Sequence, residues 1–292
     1  MVDKAKPVYL EIAGNKLIYF DSMIRKLKKF IKAILLIVKH PSLLNNIVNN
    51  VDVHKEAVIK KYNLPSGLRT VQLQQMFPAF NITVNPYASL DGGSTVLDIA
   101  LLIACAKSKN DCQYLEIGTW RGESVANVAT VADHCFTLNL SDATMEEMGL
   151  HNNYIASHRV FSKQLQNVTH LFGNSKSFDF EKLKQKFDLI FIDGDHHYEQ
   201  VKEDTEKMFK LLRNDDAIIV WHDYGNNPAD VRWDVLHGIL DGTPHAMQSN
   251  LYHVSNTLCA IYYSKPIEAS YPAPFELPKH HFIIDVHASD SA

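Results

Sequence analysis

The side chains best equipped for chemistry stand in two short segments. Asp188-Leu-Ile-Phe-Ile-Asp193-Gly-Asp-His-His-Tyr-Glu199 places an apolar run before Asp193, Asp195, His196 and His197. Ile218-Ile-Val-Trp221-His222-Asp223-Tyr224 places another before His222 and Asp223. Six acidic or imidazole side chains following two adjacent apolar runs are hard to explain as a solvated loop. Carboxylate oxygens and imidazole nitrogens hold Mg²⁺, Mn²⁺ or a harder transition metal, and Asp193, His222 and Asp223 are the expected ligands. The same groups can take a proton from a hydroxyl, so Asp193, His196 and His222 are the candidate catalytic residues. The alternative is a metal-free site in which His222 is the general base, because imidazole titrates near neutrality.

A second pattern is Glu116-Ile-Gly118-Thr119-Trp120-Arg121-Gly122-Glu-Ser124. Gly118 lets the backbone turn tightly under a ligand, and Gly122 opens the following helix without a side chain in the way. A dinucleotide pyrophosphate wants G-x-G-x-x-G at a helix N-terminus, whereas this spacing is G-x-x-x-G with Trp120 and Arg121 inside the turn. A carboxylate at Glu116 suits a ligand carrying an ammonium group better than one carrying phosphates.

These groups need a frame that brings strand ends together. Apolar runs at 114–118, 135–140, 168–172, 187–193, 217–221, 252–254 and 258–263 alternate with helical periodicity over 96–107, 123–132 and 198–212. Such alternation predicts a parallel sheet wrapped by helices, with ligands bound beyond the carboxyl ends of the strands. Before it, residues 1–95 read as a helical N-terminal extension containing a cap segment, in which Tyr87, Ser89, Asp91 and Thr95 can cover a ligand. The core is expected over 96–271, and 272–292 reads as a wrapping C-terminal arm. Residues 23–40 form a basic amphipathic helix stopped by Pro41, suited to peripheral contact with an anionic membrane or to packing on protein.

Composition narrows the partners. The chain of 292 residues carries 29 Lys and Arg against 33 Asp and Glu, so nucleic acid is not an expected ligand. Residues 1–62 are nevertheless basic, with 12 Lys and Arg against 5 acids. Cys105, Cys112, Cys135 and Cys259 form no C-x-x-C pair and read as reduced core thiols. The sequence shows no secretory signal and no apolar stretch near the ~20 residues of a membrane span. The expected location is the cytoplasm, with peripheral contact at the inner membrane face through helix 23–40, and self-association into a homo-oligomer is expected. His151, His158 and His170 read as surface or internally satisfied histidines.

Taken in order, Tyr114 to Ser124, Asp188 to Glu199 and Trp221 to Tyr224 resemble the class I S-adenosylmethionine-dependent methyltransferases. Within them the resemblance is to the branch with sugar and macrolide O-methyltransferases and cephalosporin-hydroxylase-like proteins. It spans roughly Val96 to Lys265. It implies a Rossmann-like α/β fold with a seven-stranded, mostly parallel sheet, helices on both faces and an antiparallel last strand at 258–263. S-adenosylmethionine would lie across the loop of Glu116, Gly118, Thr119, Gly122 and Ser124. Asn139 stands where the family usually has an acid for the ribose, with Asp142 able to reach back, and Gly173-Asn174-Ser175 corresponds to the adenine-side loop. Asp193 completes the cofactor set. Asp193 and Asp223 match acids of the metal-dependent members, and His222 replaces a third.

The implied activity is methyl transfer to a hydroxyl of a polar small molecule, such as a sugar or glycan precursor. Two rivals remain at this level. A metal-dependent phosphoesterase would use Asp195, His196, His197, His222 and Asp223, but leaves the glycine loop unexplained. A non-catalytic module would keep the fold for binding at a membrane surface.

Overall fold

A computed structural model describes residues 25–41, 51–85, 93–227, 230–271 and 281–285. The chain divides into two compact units, residues 1–50 and 51–292. In the first, residues 25–39 form helix α1, ending just before Pro41. No described helix is long and apolar enough to cross a membrane. Tyr87, Ser89 and Asp91 lie outside the described residues, as does most of the expected C-terminal arm.

The second unit is built on an eight-stranded sheet. Its strands in chain order are β1 (Thr70–Val71), β2 (Gln113–Ile117), β3 (His134–Asn139), β4 (Val168–Phe172), β5 (Leu189–Ile192), β6 (Ile218–Trp221), β9 (Leu251–Val254) and β10 (Ala260–Tyr262). Across the sheet they run β1-β9-β10-β6-β5-β2-β3-β4. β10 is antiparallel to β6 and β9, and the other pairings are parallel. The antiparallel last strand is as expected. The count of seven is corrected to eight by β1, which adds to β9 from within residues 1–95, the stretch expected as a helical extension. β7 (Gly225–Asn227) and β8 (Asp230–Val231) form a separate hairpin after β6.

Strand side chains alternate between two buried layers, as a sheet covered on both faces requires. Leu115, Ile117, Ile190, Ile192, Ile219 and Trp221 share one core with Val201 and Met208 of α8 (Tyr198–Phe209) and with Leu236 and Ile239 of α9 (Trp233–Gly242). Helix α2 (Val51–Tyr62) contributes Val58 to that layer. Tyr114, Leu189, Phe191, Ile218 and Val220 face Leu101, Leu102 and Cys105 of α4 (Val96–Lys107) and Val125 and Val128 of α5 (Glu123–Val128). A four-residue helix, α3 (Leu73–Met76), follows β1 and buries Leu73 and Met76, while Thr70 of β1 pairs with Ser270 in an isolated antiparallel bridge. All four cysteines are free and buried. Two short helices, α6 (Asp142–Glu147) and α7 (Asn152–Ser157), bridge β3 to β4.

Helix α4 begins at Thr95 in a reciprocal cap. The Thr95 hydroxyl accepts from the Asp98 amide at 3.3 Å, and the Asp98 carboxylate accepts from the Thr95 amide at 2.7 Å. Asp98 is the single acid in an otherwise apolar and buried stretch of that helix.

Candidate functional site

The carboxyl ends of β2 to β6 open into a cavity of about 850 Å³. That is room for a nucleoside-sized ligand together with a small second molecule. Of the residues expected to face a cofactor, Gly118, Thr119, Ser124, Asn139, Asn174, Ser175 and Asp193 line it, and Thr95, Trp120 and Arg121 join them. The Asn174 side chain accepts from the Lys176 amide at 2.9 Å, and Ser175 Oγ accepts from Gln200 Nε2 at 2.9 Å. Asp142, the alternative ribose ligand, is held by Arg159 at 2.7 and 2.8 Å.

Glu116 and Gly122 do not line the cavity. Alternation along β2 turns Glu116 into the layer under α4 and α5, where it is fully buried and accepts from Tyr114 Oη at 2.6 Å and Thr137 Oγ1 at 3.3 Å. Burial pushes its carboxyl up to about 8, against the lowering effect of hydrogen bonds from Tyr114, Ser124 and Thr137. Gly122 has φ 86°, and a Cβ there would meet Ser162 Oγ at 2.3 Å, so its role is to seat the loop. Gly118 also serves packing: at φ 96°, a Cβ would lie 2.0 Å from the Asp193 carbonyl oxygen. The glycine lets β2 and β5 end side by side, which brings Asp193 to the loop.

Around Asp193 the expected trio of Asp193, His222 and Asp223 assembles, and His196 joins it. His222 is buried, with Nδ1 3.1 Å from Asp193 Oδ1 and Nε2 3.4 Å from Asp98 Oδ2. Burial lowers its pKa, but Asp193, Asp223 and Asp98 outweigh that and hold it well above the usual histidine range. Both ring nitrogens of His222 thus face carboxylates, Nδ1 lying 3.5 Å from Asp223 Oδ2 as well. Asp98 was not anticipated. It accepts from the Leu258 amide at 2.8 Å as well as facing His222, and its charged form persists because these contacts overcome burial.

His196, also expected as a catalytic candidate, stands beside Asp223. Asp193, His196 and Asp223 can each offer one ligand atom, and these atoms lie within 4.8 Å of one another. His196 Nε2 is 3.1 Å from Asp223 Oδ2, and Arg232 Nη1 is 3.9 Å from the same oxygen. Burial would raise Asp223, but His222, His196 and Arg232 bring it down to about 2. His197 is exposed and paired with Asp195 at 2.6 Å.

Two non-glycine residues of the cavity wall, Trp120 (φ 39°) and Asp223 (φ 52°), sit in the left-handed region. For a bulky indole this conformation is rare and costs energy, a pattern concentrated at functional sites. The Arg121 guanidinium lies over the Trp120 ring at 4.6 Å, and the Tyr154 ring lies 6.4 Å from it. The Trp120 indole Nε1 is buried with no partner among the described residues, leaving a donor for a ligand. His158 Nδ1 donates to the Tyr154 carbonyl oxygen, 2.8 Å away, while His158 also lines the cavity.

Residues 115–224 match the family model described as a methyltransferase domain. No curated protein matches the sequence. Among solved structures, the CcbJ methyltransferase from Streptomyces caelestis is 17% identical, with 42% of this chain and 49% of that one covered and a TM-score of 0.30. CalS10, an amino pentose methyltransferase from Micromonospora echinaspora, is 18% identical over 43% and 48%, with a TM-score of 0.32. A Staphylococcus aureus protein assigned as a caffeoyl-CoA O-methyltransferase is 18% identical over 77% and 98%, with a TM-score of 0.41. The chain thus spans about half the length of the first two of these. The match over 115–224, which begins in β2 and ends just past Asp223, makes this stretch of the chain similar to a methyltransferase domain.

Proposed function

We propose that the protein transfers a methyl group from S-adenosylmethionine to a hydroxyl of a polar small molecule, such as a sugar. The observation that carries this reading is the placement of Asp193, His196 and Asp223 together in the wall of the cavity of a methyltransferase domain. S-adenosylmethionine supplies an electrophilic methyl on a sulfonium centre. The loop from Gly118 to Arg121 with Asn139 and Asn174 would hold it, and the free Trp120 indole N–H fits a ligand rich in acceptors. What remains for the protein is to align the acceptor oxygen and relieve it of its proton.

Two carboxylates and an imidazole suit a hard divalent cation such as Mg²⁺ or Mn²⁺, and Asp193, His196 and Asp223 would hold it, where it would lower the pKa of a bound hydroxyl. A second reading rests on the 3.1 Å pair between His196 and Asp223: His196 accepts the hydroxyl proton at Nε2, and the Asp223 carboxylate stabilises the resulting imidazolium. In both readings His222 keeps Asp193 in place.

The test is titration calorimetry of the full chain with S-adenosylmethionine and S-adenosylhomocysteine, followed by transfer of labelled methyl into a pool of polar metabolites. Both nucleosides should bind. Chelation should then stop transfer and leave donor affinity largely intact if a cation is used, whereas undiminished transfer selects His196 as the base. Binding of neither nucleoside would overturn the methyltransferase reading.

A further inference from the structure

The methyltransferase domain leaves helix α1 without a task. Its 15 residues, 25–39, contain Arg25, Lys26, Lys28, Lys29, Lys32 and Lys39 and no acid. At ~100° per residue the five lysines fall on one side of the helix. Leu27, Phe30, Ile31, Ile34, Leu35 and Val38 fall on the other. Every one of these six apolar side chains is exposed, from 44% at Ile34 to 74% at Val38. A contiguous apolar face left in water calls for a covering surface.

We propose that α1 docks on an anionic lipid bilayer. Charge complementarity selects this occupant: a lysine-rich face without a single acid gains from lipid phosphates and carboxylates, while the lysine stems let their ammonium groups reach the headgroups as the apolar face sinks beneath them. The helix is about 22 Å long at 1.5 Å per residue, too short for the ~30 Å hydrocarbon layer, so it lies in the interface plane and does not span.

The test uses the full chain and sedimentation with vesicles of phosphatidylcholine alone or with about 30% phosphatidylserine, the anionic content that gives a cytoplasmic-type surface potential. Binding is expected to the anionic vesicles only, and to weaken as salt rises. Lys28→Gln/Lys29→Gln/Lys32→Gln should weaken it on the order of a hundredfold, three surface cations having been removed. Phe30→Ala/Leu35→Ala should also weaken it with every charge retained. All substituted side chains are exposed, so each variant should melt as the parent does. Absence of binding, or binding indifferent to salt and to vesicle charge, would overturn the proposal. A concentration-dependent dimer that Ile34→Glu disperses, in a chain that ignores vesicles, would overturn it in favour of a second copy. Donor binding by the methyltransferase domain is measured separately and is unaffected by either outcome.

Discussion

Glu116 and Asp98 differ in how visible their roles are in the sequence. Glu116 stands in a motif and invites a ligand contact, yet strand alternation places it in the core. Asp98 stands in an apolar helix and reads as a first-turn acid near the helix N-terminus, yet it faces His222 from 124 positions away in the chain. Type and local spacing pick out strand ends whose residues line the cavity. They do not say which way a loop imidazole turns: His222 is buried between Asp98 and Asp193, whereas His196 is half-buried beside Asp223. The Glu116 carboxyl is pushed up to about 8 from an ordinary 4.5 by burial, so the fold prefers it protonated. Its effect on stability is therefore nil below about pH 4.5 and increasingly unfavourable as pH rises toward 8. Glu116→Gln keeps the shape and cannot ionise. Urea unfolding should show the parent losing about 2–4 kcal/mol between pH 5 and pH 8 through this group, a loss the variant lacks. Donor affinity should be unchanged in the variant, and a large fall would return Glu116 to the ligand.

At the scale of elements, the strong periods were legible: 96–107 is helical as expected, and each apolar run contains a strand. The strand β1 was not, because two residues, Thr70 and Val71, are too few to show a period, and their pairing with β9 joins positions 183 apart. Helix α2 was likewise obscured among short segments. It is fastened to α8 and α9 by Asp241, which accepts from Lys61 Nζ at 2.9 Å, from Tyr198 Oη at 2.8 Å and from Tyr62 Oη. Burial would raise the Asp241 pKa, but these three donors bring it down to about 2. A depressed carboxylate adds stability that is full above its unfolded value near 3.8 and is lost as pH falls through 2. Asp241→Asn should cost about 1–2 kcal/mol at pH 7, mostly through the two tyrosines, since Lys61 is exposed and contributes little. The gap between parent and variant should close below pH 4, which denaturation at pH 7, 4 and 2.5 measures.

At the scale of the whole molecule, charge and compactness divide the chain in nearly the same place. Residues 1–62 carry a net charge of +7 and the remainder −11, while the compact units meet between Asn50 and Val51. The cavity, both core layers, the cap at Thr95 and the Asp241 fastening all belong to the unit from Val51 onward. If that unit holds its own stability, a chain beginning at Val51 should fold alone. Its thermal midpoint should stay within about 3 °C of the full chain's, a shift corresponding to about 1 kcal/mol for a domain of this size. Calorimetry with S-adenosylmethionine should give the same affinity for both, because every residue of the cavity is retained. Attachment to anionic vesicles should disappear, because α1 has been removed. A drop in the midpoint of about 8 °C or more would show that the first fifty residues contribute to the core. Unchanged vesicle binding would show that the basic helix is not what holds the protein at a membrane.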